Sequence, residues 1–161
     1  METSLRLHKG RYAHSVFCDE IRREMNGKAI LLGVYDSDLY VPSLPFTLPT
    51  FSVLVTISSP IDMPLRRMII RLYYGDNLLS EAPIPEAELD SLFGGVSEGQ
   101  IEDTEVLSVL KVFRWAVVLN ITPFNIEEEG NLRVRVETDS EILPGGALFI
   151  KVAPAASIHT P

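Results

Sequence analysis

The single cysteine of the chain is the first residue whose type could do chemistry. Cys18 follows His14 by four residues and precedes the acidic pair Asp19-Glu20. A nucleophilic thiolate needs a base within hydrogen-bond reach and a cationic setting that lowers its pKa. On a strand, four residues span about 13 Å, so His14 would share a face with Cys18 but lie too far away to take its proton. We therefore expect no catalytic residue here and interpret Cys18 as a small, buried apolar side chain.

Two carboxylates in a predicted loop form the second candidate site. Asp36 and Asp38 could bind Ca²⁺, a hard cation that prefers several oxygen ligands. Asp76, Asp139 and Glu141 lie in other predicted loops and would have to complete such a site. Turn chemistry offers another interpretation, because Asp and Ser side chains in loops hydrogen-bond to their own backbone. The sequence thus leaves open a metal site at Asp36 and Asp38 or a purely structural loop, and it predicts no other cofactor.

The charge balance restricts the class of partner. The 161 residues include 14 Lys and Arg against 22 Asp and Glu, a formal net charge of −8. A net negative surface repels phosphate backbones and anionic membranes, so we expect neither nucleic-acid binding nor membrane insertion. One cysteine allows no internal disulfide, and the first residues show no signal-peptide pattern. The expected location is the cytoplasm.

Short apolar runs separated by Gly, Pro, Asn and Asp predict an all-β fold. The clearest strand covers residues 131–138, where Leu132, Val134 and Val136 alternate with charged residues. A period of two with charge on one side indicates a strand with one buried face and one face in solvent.

A hairpin is predicted near the start of the chain. The Asn26-Gly27 pair tolerates the positive φ angles of a tight turn, which would join a strand over residues 12–24 to one over residues 29–35. The second strand is almost continuously apolar, as in a central strand. The first segment also fits one side of a helix, but the turn at its end favours the strand.

The remaining pattern is typical of an antiparallel β-sandwich of about seven to nine strands with one short helix. The helix is predicted over residues 85–92, where a proline and acidic residues suit its first turn. We expect one domain over residues 1–152 and a flexible tail over residues 153–161. Further strands are predicted over residues 51–58, 68–74, 78–84 and 147–152, the last after a turn at Pro144-Gly145-Gly146. Residues 106–121 hold one long strand or two shorter ones.

The stretch from residue 18 to residue 35 resembles a known family. It reads Cys18-Asp19-Glu20-Ile21-Arg22-Arg23-Glu24, then Asn26-Gly27-Lys28, then Leu32-Gly33-Val34-Tyr35. These segments are similar to an uncharacterised family of small bacterial proteins with the signature C-D-E-x-R-x-E, N-G-K and L-G-V-Y. The resemblance extends to Val41-Pro42-Ser43-Leu44-Pro45, Pro123-Phe124 and Glu129-Gly130. It implies a domain of unknown function and supplies no activity and no site. Residues 129–136 also resemble the closing strands of immunoglobulin-like and C2-like sandwiches, which is an analogy of fold alone.

One predicted strand points to binding. In residues 106–121, Phe113, Trp115, Val117 and Leu119 alternate with residues that are mostly apolar as well. A sandwich strand needs only one buried face, so the helix and loops or another chain must cover the second. We therefore predict a non-catalytic interaction or structural module that docks a protein partner or a second copy, with these four residues as the interface. The alternative is a ligand- or Ca²⁺-binding module that uses the acidic loop.

Overall fold

A computed structural model describes residues 10–94 and 112–154 of the chain. Within these residues the chain forms eleven strands and one helix. The strands are β1 (Tyr12–Arg23), β2 (Ala29–Tyr35), β3 (Asp38–Val41), β4 (Phe46–Leu48), β5 (Phe51–Pro60), β6 (Met68–Tyr74), β7 (Asn77–Ile84), β8 (Val112–Ile121), β9 (Phe124–Ile126), β10 (Gly130–Thr138) and β11 (Ile142–Val152), and the helix is α1 (Glu86–Gly94).

The strands form two larger sheets and one small one. Sheet A has the order β2-β1-β5-β8, and all of its neighbours are antiparallel. Sheet B has the order β3-β11-β10-β6-β7, in which β3 and β11 are parallel and the other pairs are antiparallel. The short strands β4 and β9 pair with each other. The all-β, sandwich-like fold is therefore confirmed, with more strands than expected because β3, β4 and β9 are only three or four residues long.

Alternation along the strands puts one face of each sheet into a shared core. In sheet B, the predicted inward residues Leu132, Val134 and Val136 are buried. Their counterparts on β5 of sheet A belong to the same hydrophobic cluster: Phe51, Val53, Val55 and Ile57. The other residues of β5 and of its neighbours in sheet A consequently face outward.

The helix is confirmed one residue after its predicted start. Pro85 precedes α1, and its carbonyl accepts the N–H groups of Glu88 and Leu89 at 3.0 and 3.2 Å. Leu89 is fully buried and fixes the helix to the core. None of the described helices is long and apolar enough to cross a membrane.

The Asn26-Gly27 hairpin is confirmed, but the position of its second strand is not. Gly27 has a φ of 83°, and β1 and β2 pair antiparallel on either side of the turn. The apolar run of β2 predicts a central strand, and this is wrong, because β2 is the edge strand of sheet A. Continuous apolar sequence usually reflects burial on both faces, whereas β2 leaves apolar side chains in solvent.

The predicted turn at Pro144-Gly145-Gly146 is also wrong. These residues lie inside β11, where the register against β10 shifts beside Val134 and leaves one extra residue in β11. A Cβ on Gly145 would come within 2.6 Å of Val134 Cγ1, so glycine allows this bulge to pack. The chain turns earlier instead, where the N–H of Thr138 bonds to the carbonyl of Glu141 at 2.9 Å.

Two predictions reach beyond the described residues. The strand predicted over residues 106–121 is described from Val112 onward, and its first six residues lie outside. Most of the predicted tail lies outside as well, although the N–H of Ala153 bonds to the carbonyl of Val41 at 2.8 Å and extends the contact between β11 and β3.

Candidate interaction surface

The outward-facing side chains of sheet A form a surface in which apolar residues reach solvent. On its edge strand β2, Ile30, Leu32 and Val34 are 41%, 37% and 57% exposed. Tyr12 of β1 and Val112 of β8 continue the exposed apolar area toward the other end of the sheet. We call this surface the outer face of sheet A, and define it by Tyr12, His14, Val16, Glu20, Arg22, Ile30, Leu32, Val34, Leu54, Val112, Arg114, Ala116 and Val118. The exposed ion pair between Arg22 and Glu20 lies opposite Ile30 and Leu32 on this face.

The β1–β2 hairpin extends beyond the rest of sheet A. The last residue of β1 that pairs with β5 is Cys18, which lies opposite Ser52. From Asp19 to Arg23, β1 pairs with β2 alone. Residues 19–33 therefore form a two-stranded arm, which we call the hairpin arm, and Met25 at its tip is fully exposed. A two-stranded hairpin is marginally stable by itself, so contacts at its base must hold it.

A half-buried carboxylate contact holds the base of the hairpin arm. Tyr35 donates a hydrogen bond from its hydroxyl to Asp19 Oδ1. Burial, and then this contact with the Asp19 carboxylate, raise the pKa of Tyr35 far above its ordinary value. Asp19 lies across from Gly33, and a Cβ at position 33 would fall 1.9 Å from Asp19 Oδ2. Since Gly33 also has a φ of 63°, the contact requires glycine for its space and for its backbone conformation.

The outer face of sheet B combines ion pairs with exposed apolar side chains. Arg71 Nε lies 2.7 Å from Glu81 Oε2, and its Nη1 contacts Glu137, which also binds Arg67 at 3.1 Å. Ile142 and Phe149 are exposed there, and Lys151 Nζ is 5.7 Å from the centre of the Phe149 ring. Exposed apolar side chains thus occur on both outer faces.

The thiol of Cys18 lies in the middle of sheet A and is not exposed. Its sulfur lies 3.7 Å from the carbonyl oxygens of Glu20 and Ser52. Burial, and then the charge of Asp19, raise the pKa of the Cys18 thiol. His14 is exposed instead and stacks on Tyr12 with ring centres 6.4 Å apart. These surroundings agree with an apolar, unreactive cysteine rather than a nucleophile.

Four of the five acidic candidates for a metal site contact cations. Asp38 Oδ1 is 2.7 Å from Lys151 Nζ, and Asp76 Oδ1 is 3.1 Å from Arg133 Nη2. Asp139 and Glu141 lie near Arg11, as described below. In the described part of the chain, no three His, Cys, Asp or Glu residues come together as metal ligands. The Ca²⁺ site at Asp36 and Asp38 stays a prediction, to which the described residues add no third ligand.

The four predicted interface residues lie on the inward side of β8. Leu119 is buried, and Trp115 and Val117 are half-buried and pack against the core. Phe113 is half-buried as well. Their assignment to a partner interface stays a prediction. The residues of β8 that alternate with these four, beginning with Val112, belong to the outer face of sheet A.

Arg11 is a buried cation that the sequence did not single out. It precedes β1, and its guanidinium bonds to Ser59 Oγ at 3.2 Å, Ser140 Oγ at 2.7 Å and the carbonyls of Met63 and Pro64 at 3.2 and 3.0 Å. Two carboxylates, on Asp139 and Glu141, lie 3.8 and 3.7 Å from Nη1. Arg11 therefore ties the start of sheet A to the loop after β5 and to the turn before β11.

Residues 13–151 match the family of unknown function DUF6941. The chain belongs to this family. No curated protein matches the chain. In this member of DUF6941, the segments that suggested a family resemblance have structural roles. Asp19, Gly33 and Tyr35 fasten the hairpin arm, and Glu129 Oε1 accepts the N–H of Val152 at 2.6 Å.

Proposed function

We propose that the chain is a non-catalytic interaction module that docks a protein partner through the outer face of sheet A. One observation carries this proposal, the row of exposed aliphatic side chains on the edge strand β2. Ile30, Leu32 and Val34 lie side by side on one face of β2 and reach solvent, and none of the described strands pairs with the other edge of β2. Exposed apolar patches of this kind mark interaction sites in folded proteins.

The non-catalytic part of the proposal is supported by the described reactive groups. Cys18 is buried and its pKa is raised, so little thiolate would form at neutral pH. Tyr35 is engaged with Asp19, and its pKa is raised too, so its phenol would keep its proton. Both groups are placed to stabilise the hairpin arm. A cytoplasmic location belongs to the same proposal and is supported by the single, reduced cysteine.

The energy available from the β2 side chains sets the minimum size of the interface. Complete burial of a fully exposed Val, Leu or Ile contributes about 1.5–3 kcal/mol, so three side chains that are about half exposed contribute roughly 3 kcal/mol together. Association costs about 4 kcal/mol or more in lost translational and rotational freedom. The three side chains are therefore insufficient alone, and the partner must also contact the backbone edge of β2 or the rest of the outer face of sheet A.

Site-specific photo-cross-linking tests this proposal. A photoreactive amino acid is placed at Ile30, Val34 or Ala116 on the outer face of sheet A, in cells that naturally make the protein. Matched positions on the outer face of sheet B are Arg135 and Ala147. We expect cross-linked products from the sheet A positions and none from the sheet B positions, since only the first group would lie against a partner.

The proposal would be abandoned if irradiation gave products from the sheet B positions only, or gave none from sheet A. The mass of each product also identifies the partner as another protein or as a second copy of the chain.

A further inference from the structure

One edge of β2 has no partner among the described strands, and this free edge lacks the features that usually protect an edge strand. Natural sheets discourage pairing with other chains by short edge strands, by charged side chains or by proline. The edge strand β3 has four residues, β7 contains Glu81 and Pro83, and β8 contains Arg114. By contrast, β2 has seven residues, Ala29 to Tyr35, with no charge and no proline. It has the composition of a central strand at the edge of a sheet.

We propose that β2 pairs antiparallel with β2 of a second copy of this chain, which makes one continuous sheet from two copies of sheet A. This inference goes beyond the proposed function, because it concerns the edge of sheet A: a paired copy would lie beside β2 and would not reach Ala116 on β8, at the opposite edge. A twofold axis through Leu32, the middle residue of β2, aligns Ala29 to Tyr35 of the two strands and places Gly33, whose φ is 63°, opposite Leu31 of the second copy. Ile30 then lies opposite Val34 of the second copy, and Leu32 lies opposite its own equivalent. Cross-strand apolar pairs of this kind stabilise antiparallel sheets.

The backbone of β2 is oriented to accept such a strand. In an antiparallel ladder, residue pairs alternate between those that exchange hydrogen bonds and those that do not. The ladder between β1 and β2 begins at the turn with the hydrogen bond from the Glu24 N–H to the Lys28 carbonyl. Counting from this pair, Ile30, Leu32 and Val34 direct their backbone groups toward β1, while Ala29 and Leu31 direct theirs toward the free edge.

Charge complementarity at the two ends of β2 supports the same register. With the axis at Leu32, Lys28 lies opposite Asp36 of the second copy, and the symmetry makes this contact twice. Both residues are exposed, and neither forms an ion pair within the described residues. A shift by two residues puts Lys28 opposite Val34 or Asp38 of the second copy, and Asp38 already binds Lys151. The aligned register thus places two ion pairs around an uncharged centre.

A second copy fits this edge better than a different protein does. Recognition of a different protein usually relies on a charge pattern that complements a charged surface, and β2 itself has no charge. In a twofold interface, each surface must complement itself. The apolar row and the Lys28 and Asp36 pair meet this requirement, because each half supplies what the other half needs.

Sedimentation equilibrium of the full chain tests the inference. We expect the wild-type chain to be a weak dimer at about 100 µM, as a small interface predicts. Leu32→Lys places two like charges opposite each other at the axis, so its dimer should weaken by roughly tenfold or more. Leu78→Lys is the matched control, since Leu78 is an exposed leucine on the edge strand β7. This variant should form the dimer as the wild type does.

A charge exchange provides a test that does not disturb the apolar row. Lys28→Asp and Asp36→Lys should each weaken the dimer, and the double variant should restore it, because the two ion pairs are rebuilt with opposite polarity. A wild-type chain that is monomeric at every concentration overturns the inference, and so does a Leu78→Lys variant that dissociates as Leu32→Lys does. If such a monomer still cross-links to another protein from the outer face of sheet A, the proposed function stands and only self-pairing fails.

Discussion

Asp19 is an inward-facing carboxylate at the base of the hairpin arm, and it determines which residues can occupy two other positions. The hydroxyl of Tyr35 donates to it, and its carboxyl group fills the space where a side chain at position 33 would begin. A polar group in such a place is retained only when it is hydrogen-bonded, since an unpartnered one would cost about 1–3 kcal/mol. The three residues therefore act as one unit that keeps the arm attached to the sandwich.

Gly33→Ala should lower the free energy of unfolding by about 3 kcal/mol. The change adds a clash with Asp19 to the cost of about 1–2 kcal/mol for a left-handed non-glycine residue. Gly27→Ala is the control, since Gly27 also has a positive φ but has no atom within 4 Å of an added Cβ. Urea denaturation of both variants measures the difference. Equal losses for the two would show that the Asp19 contact does not matter.

At this scale the sequence identified some residues and not others. It predicted the Asn26-Gly27 turn, because that pair has few other conformations of low energy. It also predicted that Cys18 is a small, buried side chain, which the structure confirms. The partnership of Asp19, Gly33 and Tyr35 could not be predicted, because it depends on the register of two strands. Pro144-Gly145-Gly146 has the composition of a turn, and only its packing against Val134 makes it a bulge.

At the scale of the elements, three chain segments meet at Arg11: the residues just before β1, the end of β5 with its following loop, and the turn before β11. A buried guanidinium is tolerated only when its donors are satisfied, and here two hydroxyls, two carbonyls and two nearby carboxylates surround it. In the sequence Arg11 is a single basic residue at the start of a strand, which normally indicates exposure to solvent. Nothing in the local pattern reveals that the loop after β5 and the turn before β11 enclose it.

Arg11→Met should therefore lower the free energy of unfolding by about 3 kcal/mol, because the carbonyls and carboxylates lose their shared donor. Arg22→Met is the matched control on the hairpin arm. Its ion pair with Glu20, at 2.9 Å, is exposed, so its loss should leave the stability close to that of the wild type. Thermal or urea unfolding compares the two variants. An Arg11→Met chain that unfolds like Arg22→Met would mean that Arg11 does not join these segments.

The hairpin arm shows how much of the element arrangement the sequence could predict. Both strands and their turn were predicted, and β2 has the predicted bounds. The order of strands in a sheet is set by contacts between distant residues, and a local apolar pattern does not report it. Continuous apolar sequence in β2 therefore indicated a central strand. Because β2 lies at the edge of sheet A, its seven residues are the strongest candidate for pairing with another chain.

For the molecule as a whole, both outer faces expose apolar side chains, and the edge strand β2 distinguishes sheet A. Sheet B has ion pairs, such as Arg71 with Glu81 and Glu137, beside exposed residues such as Ile142 and Phe149. The outer face of sheet A combines exposed aliphatic side chains with the unprotected edge of β2. The formal net charge of −8 keeps such a chain dispersed, so burial of this face requires a specific fit rather than general association.

The account's central claim is that a protein covers the outer face of sheet A in the cell. Hydroxyl-radical footprinting inside cells, compared with the purified chain at high dilution, tests it at individual side chains. Ile30 and Val34 should react less in cells than in the dilute sample, while Leu78 and Leu79 on β7 should react equally in both. Equal reactivity of Ile30 and Val34 in the two samples, or protection confined to β7, would contradict the claim.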